Sequence, residues 1–448
     1  MLFRSLDSVA RALDVQYIVS GSIAESRGRL RVHVEIADPT GAVLQDTTFE
    51  RPMGEIFALI DDIGGEIATF VRDRTGHDIR IGRRRAQMSN LEAWKYVLLA
   101  EERRAAFQPL THAGDLAGAA RALLEADSLL ARAQTLERTS AQPALLRGWL
   151  ARDRALLTRM LFREAPPTTK MQRVLREGIR HAEDALRREP QNAECLELRG
   201  ALRYELAGWL APADSAARRT LLTAAEQDLR AAVAANPLRA RAWNYLSRLH
   251  LDAGRFAESR IAALRAYTAD AYLSDIHEVI FRLFRTSFEL GDDAEAARWC
   301  EEVRRRFAES AAHAQCALLL MAWGDDPRPD PDQAWQLVAR PEETDPPQLR
   351  QTVRPMLHLL AAATLARAGL RDSAHAVIRR TRIAGPDSPT LAYHEAAARA
   401  LLGENDAALA LLTAYLRSPA PRWPLRSRML APLRTDPRYR QLISTVPG

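Results

Sequence analysis

Apolar residues change their spacing along this chain, and each change marks an element. Leu6, Val9, Ala10 and Leu13 recur at helical spacing, and Asp14 then leads into Tyr17-Ile18-Val19-Ser20-Gly21-Ser22-Ile23, which reads as a strand. Leu30-Arg31-Val32-His33-Val34-Glu35-Ile36 alternates strictly, which predicts a half-buried antiparallel strand. The turn signal Asp38-Pro39-Thr40-Gly41 separates it from a third run, Val43-Leu44-Gln45-Asp46-Thr47-Thr48-Phe49. After Pro52, the stripe Ile56, Phe57, Leu59, Ile60, Ile63, Ile67 and Phe70 predicts an amphipathic helix that covers one face of the three strands. So short an α+β unit buries little surface and is marginal by itself.

Beyond residue 90 the period is helical almost throughout, and it repeats. Gly254, Gly291, Gly369 and Gly403 align, with small residues five positions on at Ser259, Ala296, Ala374 and Ala408. Four further come Ala263, Cys300, Ile378 and Leu412, while seven upstream of each glycine stand Ser247, Phe284, Ala362 and Ala396. Glycine just past a helix end adopts a left-handed cap without steric cost, and the small residues let two antiparallel helices approach closely. Asp293, Asp372 and Asp406 lie where the following helix begins and are placed to cap its free N–H groups. Pro190, Pro237 and Pro386 mark breaks between units, and Arg147-Gly148 and Arg199-Gly200 read as one slot in two further units. The segments 211–220 and 327–347 interrupt the register.

Charge alters this picture little. The 448 residues carry a formal net charge of +6, yet lysine occurs only at Lys95 and Lys170, and the arginines interleave with Asp and Glu as on a solvated helix surface. The run Arg83-Arg84-Arg85 lacks interleaved aromatic residues and reads as a connector, so no nucleic-acid partner is expected of this chain. No stretch reaches the about 18 consecutive apolar residues that a membrane span requires. Cys195, Cys300 and Cys316 lie far apart in apolar helical stretches and read as small buried residues without a disulfide framework.

Catalytic and metal chemistry find no motif. His394-Glu395 lacks the second histidine of a zinc-protease helix. The acidic, proline-rich run 325–332 lacks the central glycine and terminal glutamate of a calcium loop. No phosphate-cradling glycine loop and no nucleophile elbow appear. The expectation is a chain that is not an enzyme and takes no cofactor or metal.

Two resemblances give the pattern a context. The words Ala10-Arg11-Ala12-Leu13-Asp14-Val15-Gln16-Tyr17-Ile18-Val19-Ser20-Gly21-Ser22-Ile23, Arg29-Leu30-Arg31-Val32 and Phe49-Glu50-Arg51-Pro52 resemble the TolB amino-terminal-like, or FlgO-like, domain of bacterial regulators. In that family a strand and a helix precede this point, so a truncated domain is expected over 1–78, followed by an Arg-rich linker over 79–90. The 34-residue spacing of Gly369 and Gly403, with its bulky, small and proline slots, resembles the tetratricopeptide repeat from about Leu91 to Pro419. The expected fold is therefore mainly α, a tetratricopeptide-type α-solenoid of antiparallel helix pairs over 91–448 behind a small α+β domain with three antiparallel strands.

That resemblance implies a concave face, lined by the first helix of each unit, that takes a protein or peptide partner. Carried onto this chain, the inward candidates are Glu197, Tyr204, Arg241, Asn244, Arg248, Phe281, Arg285, Phe288 and Tyr393. Arg241, Asn244 and Arg248 share a helix face suited to a carboxylate or phosphate. Proteins with this domain pair usually carry an upstream kinase, cyclase or winged-helix domain, often behind a membrane helix. The resemblance thus implies the sensor or partner-binding part of a bacterial signalling protein, on the extracytoplasmic side of a membrane-anchored parent or in the cytoplasm. A stand-alone cell-envelope assembly scaffold is the alternative.

Overall fold

The computed structural model describes residues 15, 17–75, 88, 90–162, 167–211, 214–270, 275–308, 310–325, 329–344, 347–384, 388–417 and 425–444. The expected helix near Leu6 to Leu13 and the arginines at 83–85 lie outside them. Contacts divide the chain into two units, residues 1–95 with 135–140, and 96–134 with 141–448.

The first unit contains an antiparallel sheet in the order β1 (Ile18–Ser26), β2 (Arg29–Ala37), β3 (Val43–Pro52). Arg27 and Gly28 both adopt positive φ, 54° and 74°, which gives the two-residue turn whose twist matches its flanking strands. At the second turn the Asp38 carboxylate accepts the Thr40 and Ala42 N–H groups at 2.8 and 3.0 Å. The alternation expected of β2 is observed: Val32, Val34 and Ile36 are buried while Arg29 and Arg31 face solvent, paired to Glu50. Helix α1 (Ile56–Thr75) lays Leu59 and Ile63 against Val32, Val34, Leu30 and Phe49.

The second unit is built mostly of antiparallel helix pairs. Helices α2 (Leu91–Ala105), α3 (Phe107–His112) and α4 (Leu116–Leu136) lead into α5/α6 (Gln142–Leu161, Thr168–Arg188), α7/α8 (Ala193–Ala207, Ser215–Ala235), α9/α10 (Ala240–Asp252, Phe256–Ala269) and α11/α12 (Ile276–Glu289, Asp293–Phe307). They continue as α13/α14 (Ala311–Trp323, Pro331–Thr344), α15/α16 (Pro347–Arg367, Arg371–Ala384) and α17/α18 (Pro389–Leu401, Asn405–Leu416). A 3-10 helix, Arg428–Thr435, and α19 (Pro437–Ser444) follow. This is a mainly α, tetratricopeptide-type solenoid. No described helix is long and apolar enough to cross a membrane.

The punctuation read from sequence has a backbone cause. Gly254, Gly291, Gly369 and Gly403 all sit at φ between 71° and 82°, where a side chain is strained. Asp293 is the first residue of α12 rather than its cap; Asp292 accepts the Glu295 N–H at 3.2 Å, and Asp293 complements the helix dipole from inside the first turn. The two Arg-Gly slots share close glycine packing but differ in their ion pairs, Arg147 reaching back to α4 and Arg199 forward to α8. Each glycine lies where helices touch, and each arginine binds an aspartate on a neighbouring helix, Arg147 to Asp127 at 2.9 Å and Arg199 to Asp228 at 2.6 and 2.9 Å. A Cβ on Gly200 would stand 2.7 Å from Leu229 Cγ with the Ala225 carbonyl oxygen 3.2 Å away, so it has nowhere to retreat. Gly200→Ala is expected to destabilise the unit by about 1–3 kcal/mol, read as a lower urea midpoint.

The cysteine expectation is corrected. Cys300 on α12 and Cys316 on α13 form a disulfide with Cα atoms 5.7 Å apart, while Cys195 remains a buried free thiol. The two bonded residues are 16 positions apart and lie symmetrically about residue 308, in the turn between the helices. Distance along the chain hides a pair that an antiparallel turn brings together.

Candidate functional site

The first helices α7, α9 and α11 carry all of the candidates singled out from sequence except Tyr393, which is on α17, and they fall into three clusters and a core. In the first cluster Glu197 is fully buried; Arg239, at the N-cap of α9, donates to its two oxygens at 2.9 and 3.1 Å. Burial alone would lower the Arg239 pKa, but Glu197 and Glu194 outweigh it and hold it well above the ordinary value. Arg241 lies over the buried Trp149 ring, 4.7 Å from its centroid, and stands 3.9 Å from Glu197. Glu197 is therefore a structural counter-ion and not an open ligand.

In the second cluster Arg248 lies over Tyr204 and Tyr245, 5.3 and 5.4 Å from the two centroids, and those rings meet edge to face. The Tyr204 hydroxyl donates to Asp252 at 2.6 Å, and the Tyr245 hydroxyl donates to Glu205 at 2.7 Å. Arg152 also reaches Glu205, at 2.8 Å. Burial pushes the Glu205 carboxyl up, yet Arg152 and Tyr245 outweigh it and hold the carboxyl below its usual range. Burial leaves the Asp252 pKa raised and pushes both tyrosines above theirs.

The third cluster is closed. Asn244 is buried; its Nδ2 donates to Asp275 at 2.5 Å and its Oδ1 accepts from Arg282 at 2.7 Å. Burial, with Arg248 nearby, lowers the Arg282 pKa to about 10. Arg285, Phe288 and Tyr393 are buried too: Arg285 donates to Glu289 at 2.9 Å, Phe288 stacks on Phe284, and Tyr393 packs on Tyr415. Phe281 is partly buried against Phe284. The expectation that these four line an open groove is corrected for Arg285, Phe288 and Tyr393, because helices α11 to α18 and the C-terminal segment share one continuous core. His394 is likewise fully buried, its Nδ1 on the Thr390 carbonyl at 2.7 Å, and burial takes its pKa to about 4.

No family model matches this chain, and no curated protein matches it. Solved structures similar to it include a tetratricopeptide repeat protein from Parabacteroides merdae, at 14% identity over 78% of this chain and 98% of that one, with a TM-score of 0.32. Yeast Tom70 is similar at 11% identity over 79% of this chain and 100% of that one, with a TM-score of 0.35. A human IFIT1 dimer with m7Gppp-AAAA is similar at 16% identity over 75% and 79% of the two chains, with a TM-score of 0.38. The solenoid assignment rests on the helix pairing described above.

One pattern went unread in the sequence. Five residues past the small slots Gly148, Gly200 and Ser247, and past Phe284 in the equivalent place, stand Asp153, Glu205, Asp252 and Glu289. Three of these carboxylates accept a donor from the preceding first helix: Arg104 reaches Asp153 at 2.6 Å, Arg152 reaches Glu205 at 2.8 Å, and Tyr204 reaches Asp252 at 2.6 Å. Each donor lies four residues past its own slot, at Ala100, Gly148 and Gly200. The result is a ladder that ties successive units together along the first-helix face. A charge-assisted rung is worth about 1.5–3 kcal/mol.

Proposed function

We propose that this chain is a non-catalytic scaffold that binds a protein or peptide along the first-helix face of α7 and α9, through Arg241 and Arg248. The supporting observation is that these two guanidiniums are held but not consumed. Each rests on aromatic rings, each keeps about a third of its side chain exposed (34% and 31%), and its carboxylate, Glu197 or Glu278, stands at 3.9 Å, outside hydrogen-bond reach. Seven residues on one helix place the two about 10 Å apart along one face. Acidic side chains or a terminal carboxylate of a partner suit this pair, because aromatic support fixes a guanidinium in advance of binding and reduces the ordering cost. Affinity capture with the full chain should lose its bound proteins on Arg241→Glu with Arg248→Glu while the variant still unfolds in one cooperative melt; unchanged capture overturns the reading.

The setting we propose is the partner-binding or sensor part of a bacterial signalling or regulatory protein, with residues 1–78 as a TolB amino-terminal-like domain. A cell-envelope assembly scaffold is the second reading. The Cys300–Cys316 bond favours an extracytoplasmic location for either, because disulfides persist in oxidising compartments.

A further inference from the structure

The carboxylate ladder is incomplete at its fourth rung. The donor for Glu289 should come from the residue four past Ser247, but that residue is Leu251, which has nothing to donate. Glu289 nevertheless has no exposed side-chain surface, and a buried carboxylate without donors is costly. Its own helix supplies Arg285, and the remaining donors arrive from the far end of the chain. The Ser427 hydroxyl and the Arg428 backbone N–H each donate to Glu289 at 2.8 Å, across 138 and 139 residues.

The same segment reads three more features of this surface. The Arg428 guanidinium lies over the Phe288 ring, 5.3 Å from its centroid, donates to both oxygens of Asp293, one of them at 3.1 Å, and reaches Asp325 at 3.2 Å. Met429, Leu430 and Leu433 then drop into full burial against α17 and its neighbours. The segment thus meets the solenoid as a bound peptide would, with a hydroxyl and N–H on one carboxylate, a cation between an aromatic face and a second carboxylate, and an apolar pair beyond. This chemistry differs from that of the Arg241 and Arg248 face, which offers cations where this surface offers anions.

We propose that Phe288, Glu289 and Asp293 form a peptide-acceptor site whose resident occupant is the chain's own segment Leu425–Thr435. A partner presenting a serine–arginine step followed by two apolar residues competes for it in trans. The resident segment limits access, so binding in trans is weak until the resident arginine loses its hold.

The test uses the full chain and a fluorescent peptide of residues 425–444. Arg428→Glu in the chain sets like charges against Asp293, and it should bind the native-sequence peptide about tenfold or more tightly than the unmodified chain does, the size expected for one lost charge-assisted contact. Adding Asp293→Arg should remove that gain, and a peptide carrying Ser427→Asp should fail to bind because it opposes the buried Glu289. Arg428→Gln, which removes the charge and keeps the bulk, gives the same reading if the glutamate variant does not fold. Arg241→Glu with Arg248→Glu should leave peptide binding unchanged, which separates this site from the face proposed above. Equal peptide binding by native and variant chains, or a variant that only loses stability, overturns the proposal by making the segment a fixed part of the core.

Discussion

Arg239→Ala should destabilise the unit that holds it by about 3–5 kcal/mol, read as a lower urea midpoint, more than any other single truncation on the first-helix face. The cause is the carboxylate it leaves behind. Glu197 has no exposed side-chain surface, and Arg239 supplies two of its hydrogen bonds, with Arg241 too distant at 3.9 Å to replace them. Loss of Arg239 also releases Glu194, bonded at 2.6 Å, but that residue is exposed enough to take water instead. Adding Glu197→Leu should recover most of the loss, since removing both partners leaves no buried charge to satisfy. A midpoint unmoved by Arg239→Ala would show that water or Arg241 takes over. The comparison matters for function because it separates the carboxylate that holds α7 to α9 from the arginines free to meet a partner.

Reduction of Cys300–Cys316 carries the next largest expected effect. The bond closes a loop of 16 residues between α12 and α13, and a loop of that size is worth about 3 kcal/mol through the entropy it removes from the unfolded chain. A thermal melt should move down on adding reductant, and the double variant Cys300→Ala, Cys316→Ala should melt at the lower temperature whether or not reductant is present. Cys195 does not confuse the result: burial pushes its thiol up to about 12, so little thiolate is available for exchange. A melt insensitive to reductant would remove the support that this bond gives to an extracytoplasmic setting.

The fold was legible wherever a local rule has one structural solution. Strict alternation at Leu30 to Ile36 could only be a half-buried strand, and β2 has that burial. Glycine at four equivalent positions required left-handed caps, and all four have positive φ. The site was less legible for a reason visible in Glu197, Asn244 and Tyr393. A helical face predicts which way a side chain points but not what stands opposite, and Arg239, Arg282 and the Tyr415 ring stand there. Arg152, Glu205, Tyr245 and Asp252 were missed although the carboxylates recur at one spacing in the sequence, because a repeat read through glycines and small residues draws attention to packing slots rather than to the polar positions four and five residues beyond them.

What the sequence alone determined, then, is the local grammar: three strands and a covering helix, followed by helix pairs with glycine caps and close-packed small residues. These follow from backbone sterics and from the periods at which apolar side chains recur, both of which act over a few residues. Only the tertiary structure decided which charges are spent and which remain. Cys300 met Cys316, Leu251 gave Glu289 no donor from the preceding first helix, and Ser427 and Arg428 each supplied one from 138 and 139 residues away. A buried carboxylate must be satisfied by whichever group the fold brings within about 3 Å, and chain distance places no limit on which group that is.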